Sequence, residues 1–367
     1  MSNMLPKLTT GLAALVICYT LSSCYKTKKH DGPLPHDPTP VTTGNPPLPA
    51  TNAQWVHINA LPADSITALE MAGNVIYAAS APTGKIYTST DNGANWTSTT
   101  AMGTGVHISA IAIGNGKIFA GNFYGTMYSS GDNGQTWTNE GAPTNAVTSF
   151  IKWYNELYCS SYDNFGKGVL KLNSTNNKWE PALTLGLGDV RVSKLAVFNN
   201  YFVAATSDFL AVYDPAAQIW HTKDYVDISQ SRYKNTRFPS YVIDMIYDQG
   251  SALAQAYVGN DDQQMILRTD DQGATLYPDT IGIRADAYED KYLMRGMLLG
   301  INKIYTVTNQ YKGNAGIWIQ HRDKGAPAGT TWARDEEFLP GVYAYAIRQF
   351  NNTLFLATTK GLYYKTL

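Results

Sequence analysis

The chain is short of charge, and what charge it has is balanced. Charged residues make up 16% of its 367 positions, and 29 acids against 28 bases leave a formal net charge of −1. No excess of either sign points to nucleic acid or an anionic membrane surface as partner. Cysteine is scarce as well. Cys18 and Cys24 lie in the leading segment and Cys159 stands alone in ELYCSSY, so no disulfide framework can hold the fold, and Cys159 reads as a small core residue. His30–Asp31 and His36–Asp37 lack further ligands nearby, and no metal or cofactor is expected. The apolar run GLAALVICYTL at 11–21 is too short to span a bilayer. Present instead are 25 Tyr and 31 Gly, a balance that suits strands and tight turns and predicts an all-β protein.

Lys7, the apolar run and the small residues of LSSC at 21–24 together read as a signal peptide. LSSC resembles the lipobox of bacterial lipoproteins. The resemblance implies that residues 1–23 are removed and that Cys24 is acylated as the first mature residue; the alternative is an ordinary Cys behind a conventional signal peptide. Acyl chains would add membrane affinity of about 0.8 kcal/mol per buried CH₂. Seven of the 17 prolines fall between Pro33 and Pro49, so residues 24–53 read as an extended tether. Composition and stalk resemble lipoproteins of the Bacteroidetes, which implies anchoring to the outer membrane of a Gram-negative envelope. YKTKKHD after Cys24 carries no acidic run, which favours the periplasmic side over the cell surface.

From residue 54 onward one unit recurs. Its first strand reads SITALEM, HISAIAI, VTSFIKW, VSKLAVF, VIDMIYD, MRGMLLG and YAIRQF, each followed by a turn and a second strand such as NVIYAAS, then a third such as GKIYTST. Matching Thr67, Ser109, Ser149, Ser193, Asp244, Arg295 and Tyr345 spaces the units 40 to 51 residues apart, the length of a propeller blade. Trp96, Trp137, Trp179, Trp220 and Trp332 open fourth strands, and Leu276 takes that place in the fifth unit. The seventh unit ends without a fourth strand, and QWVHI at 54–58 supplies one. Residues 54–367 are therefore predicted to form a seven-bladed β-propeller of four-stranded blades, closed by pairing the N-terminal strand with the last blade.

STDNGANW at 89–96 and SGDNGQTW at 130–137 share Ser-x-Asp-x-Gly-x-x-Trp. The pattern resembles the Asp box, or BNR repeat, of sialidase-like propellers. In Ser89, Asp91, Gly93 and Trp96, and again in Ser130, Asp132, Gly134 and Trp137, a carboxylate can accept amide hydrogens of its own turn, Gly can take positive φ, and Trp can pack beneath the turn. Both Asp residues read as braces rather than catalysts. TDDQGATL keeps Asp271 and Gly273, and HRDKG keeps Asp323 and Gly325.

The family resemblance places the boxes on the face opposite the functional one. The loops of that opposite face carry Tyr162, Arg232, Tyr233, Arg237, Arg284, Asp286, Tyr311, Glu336 and Tyr343, candidates for holding a glycan or a peptide; the alternative is that they are ordinary hydrated loops. A sialidase would need an arginine triad, a Tyr–Glu nucleophile and an Arg motif before the first box, yet no Arg precedes Ser89. The repeat is also similar to the non-catalytic photosystem II assembly factor type of propeller. The expectation is a monomeric, non-catalytic binding or scaffolding module for a glycan or an envelope protein. The alternative is an exo-sialidase-like glycoside hydrolase acting on envelope or host glycans.

Overall fold

The computed structural model describes residues 54–142, 144–162, 168–188, 190–206, 209–224, 241–258, 263–270, 277–283, 292–311, 315–335 and 339–367. Every regular element among them is a β-strand. The first blade shows why. In Ser65–Ala72, Val75–Ala81 and Lys85–Ser89, β-branched and small residues alternate between two blade faces, with Ile66, Ile76, Ala78 and Ile86 fully buried. The short strand Thr97–Ser98 completes the sheet in the order first, second, third, fourth. The next blades begin at Ile108–Gly114, Val147–Trp153, Val192–Phe198, Tyr241–Asp248, Tyr292–Leu299 and Ala344–Phe350, giving seven antiparallel sheets. Each first strand touches that of the next blade, and the strand Ala344–Phe350 touches Ser65–Ala72, so the sheets form a seven-bladed ring.

The N-terminal strand closes the ring as predicted. Val56 pairs with Tyr364 and His57 with Tyr363, and the Ile58 amide donates to the Leu362 carbonyl at 2.8 Å. Trp55 enters the apolar cluster between the sixth and seventh blades, while Ile58 and Leu61 enter the one between the seventh and first. A short segment thus seals two interfaces. Every other pair of neighbouring blades buries its own cluster, and a fully buried Ile, Leu or Phe in one contributes about 1.5–3 kcal/mol. Cys159 is buried between the second and third blades, where burial pushes its thiol pKa up.

All seven first strands carry a bulge near their start, at Thr67, Ser109, Thr148–Ser149, Ser193, Ile243, Arg295 and Tyr345. The ladder corrects one sequence match, because the fifth-blade equivalent is Ile243 and not Asp244. The bulge frees a hydroxyl to reach the next blade. Thr67 Oγ1 donates to the Ile108 carbonyl at 2.7 Å, Ser109 Oγ to the Val147 carbonyl at 2.6 Å, and the Val242 amide donates to Ser193 Oγ at 3.3 Å. Each such bond contributes about 0.5–1.5 kcal/mol net. The sixth sheet departs from the four-strand pattern. Leu339–Pro340 adds a fifth strand along the upper part of Gly316–Asp323, ahead of the seventh blade.

Candidate functional site

Antiparallel order puts the first-to-second hairpins and the third-to-fourth turns on one face of the ring, and the second-to-third turns and blade-to-blade links on the other.

On the hairpin face, the turns 89–96 and 130–137 are closed hydrogen-bonded units. Ser89 Oγ accepts the Gly93 amide and donates to Asp91 Oδ1, both at 2.8 Å, while Asp91 accepts the Asn95 amide at 2.8 Å and its side-chain amide at 2.7 Å. Ser130, Asp132, Gly134 and Thr136 repeat the arrangement, with the Thr136 hydroxyl 2.6 Å from Asp132 Oδ2. Asn92–Gly93 and Asn133–Gly134 sit at positive φ, which places the amide hydrogens inward. The Thr136 hydroxyl and amide, with Ser130, hold the Asp132 pKa at about 2. For Asp91, partial burial opposes the Asn95 and Ser89 bonds, and the bonds prevail to lower it.

The indoles tie blades together. Trp137 Nε1 donates to the Thr100 carbonyl at 3.0 Å and Trp332 Nε1 to the Asp279 carbonyl at 2.9 Å, both in the preceding link, as Trp220 does to Leu183. Trp96 instead donates to its own Gly93 carbonyl at 2.9 Å. The HRDKG turn is held from outside. Its Gly325 amide donates to Asp248 of the neighbouring blade at 2.6 Å, while Asp323 is exposed.

The opposite face gathers the aromatic candidates. Tyr311, just past the second strand of the sixth blade, stacks on Tyr343, just before the first strand of the seventh. Their ring centroids are 4.5 Å apart and their planes 13° from parallel. Tyr343 is fixed through its backbone. Its amide donates to Thr359 Oγ1 at 3.1 Å and its carbonyl accepts the Thr359 amide at 2.8 Å. Across the ring, Tyr162 lies under Arg191, whose guanidinium carbon is 5.1 Å from the ring centroid. Tyr345, on the last bulge, is 41% exposed.

Sequence reasoning missed Phe123 and Tyr124, which form the second-to-third turn of the second blade and are 61% and 71% exposed. Two adjacent aromatics in the short turn NFYG were the available signal. Cys24, Arg232, Tyr233, Arg237, Asp271, Gly273, Arg284, Asp286 and Glu336 lie outside the described residues.

Charge near the ring axis comes from the first strands. Lys194 Nζ lies 2.8 Å from Asp244 Oδ1, and Asp244 Oδ2 accepts the Met297 amide of the next blade at 3.1 Å. Glu70 lies within reach of Arg348, Lys194 and Lys152, yet burial outweighs those charges and raises its pKa. Between the fifth and sixth blades, fully buried Asp279 pairs with Arg322 at 2.7 Å and Arg268 at 3.6 Å. A groove of about 240 Å³ on the flank of the third blade is lined by Glu156, Lys171, Asn173 and Glu180. Its carboxylates are occupied, Glu156 by Lys171 at 2.6 Å and Glu180 by Asn176 and Asn173. Among the described residues no group of three or more His, Cys, Asp or Glu is placed to hold a metal ion, and no helix is long and apolar enough to cross a membrane.

No protein-family model and no curated protein matches the chain. Solved structures do. YCF48 bound to a D1 peptide superposes with a TM-score of 0.57 at 14% identity, covering 88% of this chain and 99% of that one. YCF48 from Cyanidioschyzon merolae gives 0.57 at 13%, covering 85% and 98%. The β-propeller domain of Cps50 (Swd1) from Myceliophteria thermophila gives 0.58 at 8%, covering 86% and 100%. At these identities the likeness concerns the fold alone.

Proposed function

We propose that the chain is a non-catalytic binding module that holds a ligand on the face opposite its Asp boxes, tethered to the cell envelope by a lipid on Cys24. The observation that carries this reading is the Tyr311–Tyr343 stack. Two rings from different blades are held parallel at 4.5 Å on that face, and the backbone beneath Tyr343 is locked to Thr359. A fixed aromatic platform presents apolar area at little entropic cost on binding. Tyr162 and Arg191 add a cation beside a second ring. Together they suit an extended ligand laid across the face, with aromatic contacts for its apolar parts. A peptide of an envelope protein is favoured over a glycan, because the YCF48 structure shows a propeller of this fold with a peptide bound. The acids of the two boxes are engaged in their own turns, which leaves the opposite face to do the binding.

The test is a binding and turnover screen of the purified chain against a peptide array, a glycan array and a fluorogenic glycoside panel that includes a sialoside. The expected result is peptide binding, weakened at least tenfold by Tyr311→Ala or Tyr343→Ala, without glycoside turnover. Turnover abolished by changing a carboxylate of the loop face would replace this reading with a glycoside hydrolase. Membrane fractionation of Cys24→Ser tests the anchor, and unchanged partitioning would remove it from the proposal.

A further inference from the structure

The second blade carries a feature the fold does not require. Its turn Asn122–Thr126 is held from several sides. The Asn122 side chain, 6% exposed, accepts the amides of Tyr124 at 2.9 Å and Thr126 at 2.8 Å. The Gly125 amide donates to the Asn122 carbonyl at 3.1 Å, and the Phe123 amide to the His107 carbonyl at 3.4 Å. Gly125, at φ 82°, is pressed so tightly on the following link that a Cβ there would lie 1.7 Å from the Thr144 carbonyl oxygen. Only glycine permits that approach. From this rigid base Phe123 and Tyr124 project, their rings edge to face with centroids 6.4 Å apart. Apolar rings left in water forgo the burial that stabilises the rest of the ring. The equivalent turn of the first blade, Pro82–Gly84, is small, and that of the seventh, Thr359–Lys360, is polar.

We infer that Phe123 and Tyr124 form a preorganised anchor that inserts into an apolar, uncharged pocket on a folded protein partner; this rests on the proposal that the loop face is the binding face. Two observations select that occupant. The tip is convex, with both rings more than half exposed, whereas a small ligand obtains its burial from a concave site. The partner must therefore supply the cavity. The links on either side, residues 99–107 and 141–146, contain no Asp, Glu, Lys or Arg. A charged partner surface would lose its hydration there without finding an opposite charge, whereas an apolar pocket with an uncharged rim loses nothing. A rigid turn presenting rings with few rotatable bonds matches the character of binding hot spots.

The experiment places a photo-crosslinking benzoylphenylalanine in the full chain, in its own cells, at position 123, at 345 on the same face, or at 154 on the hairpin face. The expected result is one discrete adduct with a second protein species from 123 and none from 154. The adduct partner, once purified, should carry the crosslink in an apolar pocket and bind the wild-type chain at least tenfold more tightly than Phe123→Ser or Tyr124→Ser, with the melting temperature of both variants unchanged. Adducts from 345 but not 123 would sink the anchor while leaving the binding face standing, and silence at both positions would remove both. An adduct with the mass of two copies of this chain would overturn the inference in favour of another occupant, as would a Phe123→Ser variant that loses binding to lipid vesicles or a glycan array.

Discussion

Lys194 and Asp244 meet near the ring axis at 2.8 Å, one from the fourth blade and the other from the fifth, and the same carboxylate accepts the Met297 amide of the sixth. One side chain thereby couples three blades where their first strands converge. Burial works against the Asp244 charge, but Lys194 and Arg348 outweigh it and lower the pKa. Lys194→Met leaves Arg348 as the remaining cation for that charge, so the cost should approach but not exceed the about 3–5 kcal/mol of breaking a fully buried pair. Urea unfolding should show a large loss for Lys194→Met and a smaller one for Lys194→Arg. Equal losses would mean that the pair is not what couples the blades.

The neighbouring Glu70 shifts the other way, and the sign sets the pH dependence. Its folded pKa lies above the ordinary carboxylate value of 4.5 because burial outweighs Arg348, Lys194 and Lys152. Between that value and the raised one the folded state binds more protons than the unfolded state, so stability falls as pH rises through the window. Asp244 acts oppositely, contributing stability above its unfolded pKa that is lost as pH falls through the folded one. Glu70→Gln should raise the melting temperature at neutral pH and flatten the decline above pH 4.5. A variant that melts lower than wild type at neutral pH would show that the carboxylate is satisfied in its charged form.

Asp91 and Asp132 brace the turns 89–96 and 130–137. Asp91→Ala or Asp132→Ala removes the acceptor of an inward-pointing amide and should lower the melting temperature at neutral pH with ligand affinity unchanged. Because the Asp132 pKa is held at about 2 by Thr136 and Ser130, its contribution is complete above the ordinary aspartate value of 3.8 and disappears as pH falls towards 2. Wild type and Asp132→Ala should therefore converge in acid. A gap that persists below pH 2 would assign the effect to packing.

A great deal of this architecture is legible in the sequence because its period is long and its strands alternate. Thr67, Ser109, Ser193, Arg295 and Tyr345 recur at matching places because each occupies a bulge that the fold repeats. Asp244 misaligns by one residue, and a bulge explains why, since an extra residue changes which of two neighbours faces the next blade without altering the apolar pattern. The strand Leu339–Pro340 went unseen because two residues carry no periodicity. Among the site residues, Tyr311 and Tyr343 can be nominated singly, but their stacking depends on ring closure, which brings the end of one strand beside the start of another. Phe123 and Tyr124 escaped because exposure is set by the turn geometry and not by residue type.

Gly134 tests whether blades dock through the turn 130–137. It sits at φ 84°, and a Cβ there would lie 2.1 Å from Thr99 Cγ2 of the first blade. Gly116, at φ 72°, has no atom within 4 Å of the same position. Ala at either site incurs backbone strain of about 1–3 kcal/mol, and only Gly134→Ala adds a collision with the neighbouring blade. Denaturant titration should place Gly134→Ala clearly below Gly116→Ala, and Thr99→Ser should recover part of the difference. Identical midpoints would mean that the blades tolerate sliding at that contact.

The closing strand of the ring is open to direct test. Residues 54–58 supply the outermost strand of the last blade and put Trp55 and Ile58 into two interfaces, so their removal strips hydrogen-bond partners from Tyr363 and Tyr364 and opens two apolar clusters together. An unpaired, apolar strand edge at Gly361–Thr366 is a template for pairing with another chain. A chain lacking 54–58 should elute as aggregate or soluble oligomer in size-exclusion chromatography with light scattering, and a peptide of sequence QWVHI supplied in excess should restore part of the monomer. The intermediate case is Trp55→Ala, which keeps the backbone ladder and vacates the sixth-to-seventh cluster, at a cost of about 3–5 kcal/mol without loss of the monomer. A stable monomer after deletion of 54–58 would mean that the other five interfaces hold the ring without its closing strand.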